Sequence, residues 1–220
     1  QATDSQEVED VQEVLNVERE NIHVIGNVPD HPLANVEYVE KKEVLKLVLI
    51  SRLAVEKNIL ELVDTLGETN LAIELDLYGR FNSEKYKQKV LAKIDALPEN
   101  VTVRPMGLVL PEVVPSTLQK YHALINLTKG ENFGQSIFEA LSVGRPVIIS
   151  ERTPWGDVHE KSAGFVVTNK DECLGVLEQL SQMNQETFNQ FCKNANDFAK
   201  QYYHESEFKP GFLNCFKIDD

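Results

Sequence analysis

The sequence predicts an α/β protein in which helices cover both faces of a parallel β-sheet. From residue 45 onwards, short apolar runs alternate with segments of helical periodicity. Most of these runs are apolar at consecutive positions, which is typical of strands buried on both faces. Gly67, Gly79 and Pro98 are turn residues that separate the segments. The alternation indicates a Rossmann-like sheet, in which ligands bind beyond the carboxyl ends of the strands.

Five strands follow from this pattern in chain order. They span residues 45–51, 71–78, 101–103, 123–127 and 146–150. The helical patterns between them cover residues 59–66, 83–96, 111–121 and 134–143. Functional residues are therefore expected in the loops after Ile50, Tyr78, Val103, Leu127 and Ile149.

The flanking segments are assigned separately. An acidic stretch to about residue 20 has apolar residues at helical spacing and predicts an amphipathic surface helix. A short strand is predicted at 22–25, and two outer helices at 170–182 and 184–203. The predicted organisation is a crossover segment at 1–42, a Rossmann-like domain at 43–169, and C-terminal helices packed on it at 170–220.

Composition limits the partners of the chain. Its 220 residues carry a formal net charge of −13, which argues against nucleic acid or an anionic membrane as the main partner. A diphosphate stays compatible with this charge, because a few local cations and backbone N–H groups can bind it. The sequence lacks a signal peptide or a long apolar span, so we expect a cytoplasmic protein.

Cysteines and histidines give no sign of a metal site or a disulfide framework. Cys173, Cys192 and Cys215 form no CxxC pair, and the five histidines are scattered without ligand spacing. Glu74 and Asp76 lie within a predicted strand rather than in a metal-binding loop. Trp155 follows a proline in a loop, where packing is a more common role than lining a cleft.

The segment 130–147 is the most informative part of the chain. Gly134 opens a predicted helix whose first N–H groups lie at the positive end of the helix dipole and can bind phosphate or sugar oxygens. Glu131 precedes this helix, and Glu139 follows eight residues later in an apolar stretch. Burial of Glu139 requires hydrogen-bond donors, which ribose hydroxyls, a buried arginine or backbone N–H groups can each supply.

Two cations follow the first strand of the alternating region. Arg52 lies at the strand end, and Lys57 lies five residues further on, where a helix begins. From the carboxyl edge of the sheet both can converge on one anionic ligand. On residue type alone, such a pair is more often a pair of solvated surface charges.

These segments together resemble the retaining GT-B glycosyltransferases of the sucrose-synthase and glycogen-synthase-like group, the glycosyl transferases group 1. Two glutamates eight residues apart, with Phe-Gly after the first, are the signature of that family; here they are Glu131 and Glu139, with Phe133 and Gly134. The family also has Arg-Leu followed by Lys at the spacing of Arg52 and Lys57. This chain has Ser51 and Asn58 where the family usually has glycine.

The resemblance implies a role for each matching residue. Glu131 contacts the transferred sugar, and Glu139 holds the ribose. Arg52 and Lys57 bind the diphosphate leaving group, and the loop at Gly107 contacts the base through its backbone. The residues thereby assigned to nucleotide-sugar binding are Arg52, Lys57, Gly79, Gly107, Leu108, Glu131, Phe133, Gly134, Gln135 and Glu139, and those assigned to catalysis are Arg52, Lys57 and Glu131.

The function implied is that of the C-terminal donor-binding domain of a retaining glycosyltransferase, acting on a nucleotide-diphosphate sugar, expected to be a UDP-sugar, without a metal cofactor. An N-terminal domain outside this sequence would bind an acceptor glycan or lipid, so the isolated domain is expected to be inactive. The parent enzyme would be cytoplasmic, or peripheral at the inner membrane face. Two alternatives stay open: an epimerase-like enzyme acting on nucleotide sugars, and a non-catalytic α/β nucleotide-binding or interaction module.

Overall fold

Six parallel strands form one sheet in the computed structural model, which describes residues 5–15, 17–22, 35–41 and 43–205. The strands are β1 (Leu45–Ile50), β2 (Ile73–Tyr78), β3 (Val101–Gly107), β4 (Ala123–Asn126), β5 (Val147–Ser150) and β6 (Gly164–Val167). Their spatial order is β3-β2-β1-β4-β5-β6. Strands β2 and β3 are thus added on one side of β1, and β4, β5 and β6 on the other side.

Helices connect the strands and cover the sheet. They are α1 (Ser5–Leu15), α2 (Ile59–Leu66), α3 (Glu84–Ile94), α4 (Val114–Leu118), α5 (Gln135–Ser142), α6 (Lys170–Gln182) and α7 (Gln185–Glu205). Buried side chains of α2, α3 and α6 share one apolar cluster with strand residues such as Leu47 and Ile125. The neighbouring residues Val48 and Leu124 point to the opposite face, and α5 packs against β4 and β5. The α/β fold with a parallel sheet is confirmed.

Several boundaries differ from the predicted ones for physical reasons. Strand β3 extends four residues beyond the predicted Val103, to Gly107; Pro105 obscures this extension in the sequence but is tolerated because β3 is an edge strand. The predicted helix at 111–121 is a 3₁₀ turn at Pro111–Val113 followed by the short α4. Strand β6 has no counterpart in the prediction. The strand predicted at 22–25 lies outside the described residues except for Ile22.

Two compact units divide the chain, Leu33–Ala199 and a smaller unit of Gln1–Pro32 with Lys200–Asp220. In the smaller unit, Val8 of α1 and Ile22 form an apolar cluster with Val11 and Val17 alongside. Helix α1 ends at Leu15, earlier than the predicted limit near residue 20, and a 3₁₀ turn follows at Arg19–Asn21.

The two described cysteines are free thiols. Cys173 and Cys192 are free and buried, and burial raises the pKa of Cys173 to about 12 and that of Cys192 to about 11. Cys215 lies outside the described residues. Each described helix is too short or too polar to cross a membrane.

The buried His122 makes the stability of the sheet depend on pH. Its Nδ1 accepts a hydrogen bond from the Lys46 N–H at 2.8 Å, so Nε2 carries the proton and donates to the Glu40 carbonyl at 3.1 Å. Burial of the ring lowers the pKa of His122 to about 4. The unfolded chain, with an ordinary pKa of about 6.5, therefore binds a proton between pH 6.5 and 4 that the folded chain does not bind.

Stability is accordingly expected to fall as the pH falls through this window. From pH 7 to pH 5 the His122 contribution to the free energy of unfolding should decrease by about 2 kcal/mol. Urea unfolding at several pH values measures the loss, and NMR titration of the His122 ring measures the pKa directly. A ring that titrates near pH 6.5 would contradict the prediction.

Candidate functional site

The carboxyl edge of the sheet has its topological switch point between β1 and β4. The strand order reverses there, because β2 and β3 continue to one side of β1 whereas β4, β5 and β6 continue to the other. At such a switch point the loops after the two strands diverge, and ligands of α/β proteins bind between them. The loops after β1 and β4 contain Arg52, Lys57, Glu131 and Gly134.

Lys57 and Glu131 meet at this switch point. The Lys57 Nζ lies 2.6 Å from Glu131 Oε2, and the two side chains are only 10% and 19% exposed. The backbones of the two loops are joined as well, since the Lys129 N–H donates to the Glu56 carbonyl at 2.8 Å. The Thr128 hydroxyl donates to the same carbonyl at 3.1 Å. A largely buried cation and a carboxylate from two separate segments are therefore held together.

Arg52 lies on the same loop as Lys57 but is solvent-exposed. Its side chain is 77% exposed, and its guanidinium forms an ion pair with Glu56 at 3.3 Å. Exposed ion pairs contribute little free energy. The Arg52 side chain can consequently leave Glu56 for an anionic ligand at small cost.

The start of α5 requires glycine at position 134. Gly134 has φ +81°, and a Cβ there would lie 2.8 Å from Ile137 Cδ1 and 3.1 Å from Glu131 Cγ. Its carbonyl accepts the first helical hydrogen bonds, from Ile137 and Phe138. The N–H groups of Gln135 and Ser136 precede these bonds, at the positive end of the helix dipole. This geometry presents a helix N-terminus next to Glu131.

Glu139 is buried on α5, with 8% of its surface exposed. The Gln135 side chain donates to Glu139 Oε1 at 3.4 Å. The fully buried Arg145, which the sequence left open as a partner, donates instead to the carbonyls of Glu37, Gln119 and Gly144. The guanidinium of Arg145 thus binds the backbone rather than the Glu139 carboxylate.

Three aromatic rings support the loop that carries Glu131. Phe133 and Trp155 are buried, with their ring centroids 5.2 Å apart, and Phe138 lies 6.0 Å from Trp155. The Trp155 indole N–H donates to the Phe133 carbonyl. Trp155 has the packing role that its sequence context favoured. The ring of Phe133, which was assigned to donor binding, lies within this aromatic cluster.

Gly79, Gly107 and Leu108 come together at the ends of β2 and β3. The Gly79 N–H donates to the Gly107 carbonyl at 2.7 Å. Just before it, the strand register shifts so that Leu77 pairs with Pro105 and Tyr78 with Gly107, which leaves Met106 as a bulge. Bulges of this kind often lie beside functional sites. The Leu108 side chain is 75% exposed.

Asp76 and Glu74 are engaged by a network that the sequence did not reveal. Arg104 donates from Nε to Asp76 at 2.6 Å and from Nη2 to Glu74 at 2.8 Å, and the Tyr121 hydroxyl donates to Asp76 at 2.6 Å. These hydrogen bonds to Asp76 and Glu74 raise the pKa of Arg104 above its usual range. Among the residues that the structure describes, no group of three or more His, Cys, Asp or Glu side chains could hold a metal ion.

Comparison with known proteins gives a family match. The model of the glycosyl transferases group 1 family matches residues 44–184. The chain is 24% identical over 217 residues to the GtfA subunit of UDP-N-acetylglucosamine–peptide N-acetylglucosaminyltransferase from Streptococcus agalactiae. That alignment covers 94% of this chain and 40% of the relative. The chain therefore spans about two fifths of the length of this relative.

Two solved structures show the same fold. A TarM variant from S. aureus, in complex with fondaparinux, α-GlcNAc-glycerol and UDP, matches with a TM-score of 0.76 and 18% identity, over 98% of this chain and 43% of that chain. The C-terminal domain of a glycosyl transferase group 1 protein from Francisella tularensis matches with a TM-score of 0.59 and 15% identity, over 72% of this chain and 86% of that chain. The Rossmann-like half of a GT-B fold is confirmed.

Proposed function

The chain belongs to the glycosyl transferases group 1 family, and from this premise we propose that it is the donor-binding domain of a retaining glycosyltransferase. The proposed reaction moves a sugar from a nucleotide-diphosphate sugar to an acceptor hydroxyl, in the synthesis of a glycan, polysaccharide or glycolipid. The observation that carries the proposal is the contact of Lys57 with Glu131 at the switch point, next to the start of α5. It combines groups suited to an anion and to sugar hydroxyls in one place.

Binding of the donor would rearrange this contact. The diphosphate competes with Glu131 for Lys57, since both ligands offer negatively charged oxygens to the same ammonium group. Once released, the Glu131 carboxylate can accept hydrogen bonds from hydroxyls of the bound sugar. Arg52 and the N–H groups at the start of α5 add positive charge where the leaving diphosphate becomes more negative, which stabilises the transition state. Glu139 on α5 is proposed to accept from the ribose.

The proposed chemistry retains the anomeric configuration. The acceptor oxygen bonds to the anomeric carbon on the face from which the diphosphate oxygen departs, and the acceptor proton passes to the leaving phosphate. No covalent bond to the protein is formed in this route. We propose that it needs no metal, because Lys57, Arg52 and the α5 terminus supply the positive charge at the diphosphate.

UDP is the proposed nucleotide. The name of the GtfA relative includes a UDP-sugar, and the TarM structure contains UDP. Gly79, Gly107 and Leu108 are proposed to contact the base. The acceptor would bind a second domain, a proposal supported by the short span of this chain relative to GtfA and TarM. The whole enzyme is proposed to be cytoplasmic or peripheral at the membrane.

Calorimetric titration with UDP, GDP and ADP, without added metal, tests the proposal. We expect one nucleotide, UDP, to bind, and Glu139→Gln and Arg52→Ala each to weaken it at least about tenfold, or ~1.4 kcal/mol. Glu160→Gln removes an exposed carboxylate from outside the site and should change nothing. Affinity unchanged in both site variants would favour the non-catalytic module instead.

A further inference from the structure

A cavity lies beside the proposed donor site. It has a volume of about 190 Å³ and opens at the carboxyl ends of β4, β5 and β6, between α2 and the start of α6. None of the residues assigned to the donor lines it. Thr128 and Lys129 do line it, and Arg152, another lining residue, accepts the Glu131 N–H with its carbonyl at 3.1 Å. The cavity is therefore a direct neighbour of the residue proposed to contact the transferred sugar.

The lining offers hydrogen-bond donors and acceptors in similar measure. All of its residues are polar except Leu127 and Val167. The charged members have both signs, since Lys129, Arg152 and Lys170 face the same space as Glu61 and Glu151. Lys170 is already paired with Glu68 at 2.8 Å. A simple anion would meet two carboxylates there. Sugar hydroxyls both donate and accept, so a sugar ring can bind cations such as Lys129 and carboxylates such as Glu151 at the same time.

Some of these groups have no competing partner. Within the described residues, Lys129, Arg152 and Glu151 form no side-chain hydrogen bond or ion pair. Arg52 and Lys57, by contrast, are paired with Glu56 and Glu131. The three side chains in the cavity are consequently available to a ligand without breaking an existing contact.

The walls of the cavity are fixed by hydrogen bonds. The Ser150 hydroxyl donates to the Thr128 carbonyl at 2.6 Å. The Thr128 hydroxyl is shared between the Glu56 carbonyl and the Gly130 carbonyl, which lies 2.8 Å from it. The volume is well below the roughly 300–1,000 Å³ of pockets for drug-sized ligands. A preformed space of this size suits a single sugar ring rather than an oligosaccharide.

We propose that this cavity is a subsite for one part of the acceptor: it binds one hydroxyl-rich sugar ring beside the sugar being transferred, while the rest of the acceptor binds the second domain. This inference rests on the proposed function, because it takes Glu131 as the marker of the transferred sugar. It narrows the acceptor to a molecule with a sugar or sugar-like ring near the reacting hydroxyl. Glu151 and Glu61 accept from the ring hydroxyls, and Lys129 and Arg152 donate to them.

NMR titration of the ¹⁵N-labelled chain with methyl glycosides of glucose, galactose and N-acetylglucosamine tests the subsite. A ligand of this size is expected to bind with Kd on the order of 1 mM. Amide shifts should appear at Lys129, Glu151, Arg152 and Asn169. Lys129→Ala and Glu151→Ala should each weaken binding at least about fivefold, the loss expected for one hydrogen bond. The exposed neighbours Lys161→Ala and Glu160→Ala provide matched controls and should leave Kd unchanged.

Three results would overturn the subsite: glycoside shifts confined to Gly134 and Gln135, no glycoside shifts at all, or tighter binding of inorganic phosphate in the cavity. A separate titration with UDP monitors the amides of Arg52–Lys57 and Gly134. Absence of UDP shifts there counts against the proposed function, whereas UDP binding without glycoside binding overturns the subsite alone. The two failures are thus distinguishable.

Discussion

Replacement of Gly79 by alanine is expected to lower the free energy of unfolding by about 4 kcal/mol or more. Gly79 has φ +144°, a conformation that residues with a side chain rarely adopt. An added Cβ would lie 1.8 Å from the carbonyl oxygen of Ser51. That oxygen belongs to the backbone next to β1, and the Ser51 N–H is itself bonded to the Tyr78 carbonyl at 3.0 Å. The clash can be relieved only by separating the ends of β1 and β2.

Urea unfolding followed by circular dichroism measures this effect, with two glycine controls. Gly130→Ala meets no atom within 4 Å and should change stability by no more than about 1 kcal/mol. Gly107→Ala also meets no atom, but its φ of +78° should cost about 1–2 kcal/mol. The difference between Gly107 and Gly79 isolates the clash with Ser51. A loss below about 1 kcal/mol at Gly79 would contradict the expected effect.

Lys57→Ala is expected to weaken UDP binding about a hundredfold, or ~2.7 kcal/mol. The substitution removes a largely buried ammonium group that is proposed to bind the diphosphate. It also leaves the Glu131 carboxylate, 2.6 Å from Lys57 Nζ in the native chain, without its cation and next to the phosphates. Loss of attraction and added repulsion act in the same direction. Calorimetry with UDP measures the change, and Lys161→Ala is the control.

Glu131→Gln is the matched variant on the other side of the contact. Removal of this charge leaves Lys57 without a competitor, so UDP should bind as tightly as before or severalfold more tightly. The additional affinity of a UDP-sugar over UDP should disappear, because Glu131 is proposed to contact the sugar. Equal losses of UDP affinity in Glu131→Gln and Lys57→Ala would show that the pair only supports the loops.

Local sequence patterns predicted most of the fold. Strands β1, β4 and β5 are mostly apolar runs, β2 alternates apolar and acidic residues, and both patterns are detectable in the sequence. The helix after Gly134 has a clear start. Strand β6 was missed because it follows a segment in which the structure has a 3₁₀ turn but no α-helix, so the alternation of strand and helix patterns is interrupted there. The strand order depends on pairing between distant segments, which no local pattern contains.

In the candidate site, too, the sequence predicted individual residues but not the contacts between distant segments. Lys57 and Glu131 were both singled out from the sequence, each with a separate role, and the family suggested by Glu131 and Glu139 is confirmed. Their mutual contact was not predicted, because 74 residues separate them and only the adjacency of β1 and β4 brings them together. Arg104 and Tyr121 were missed for the same reason. Arg104 lies on β3 and Tyr121 follows α4, whereas their partner Asp76 lies on β2. The ligand roles of the site residues stay predictions.

A crystal structure of the chain with bound UDP tests the central claim most directly. The diphosphate is expected within about 2.7–3.2 Å of Lys57 Nζ and of the N–H groups at the start of α5, with the ribose hydroxyls on Glu139. The contact of Lys57 with Glu131 should be lengthened or broken. A nucleotide bound elsewhere, with Lys57 and Glu131 still 2.6 Å apart, would contradict the assignment of this edge as the donor site.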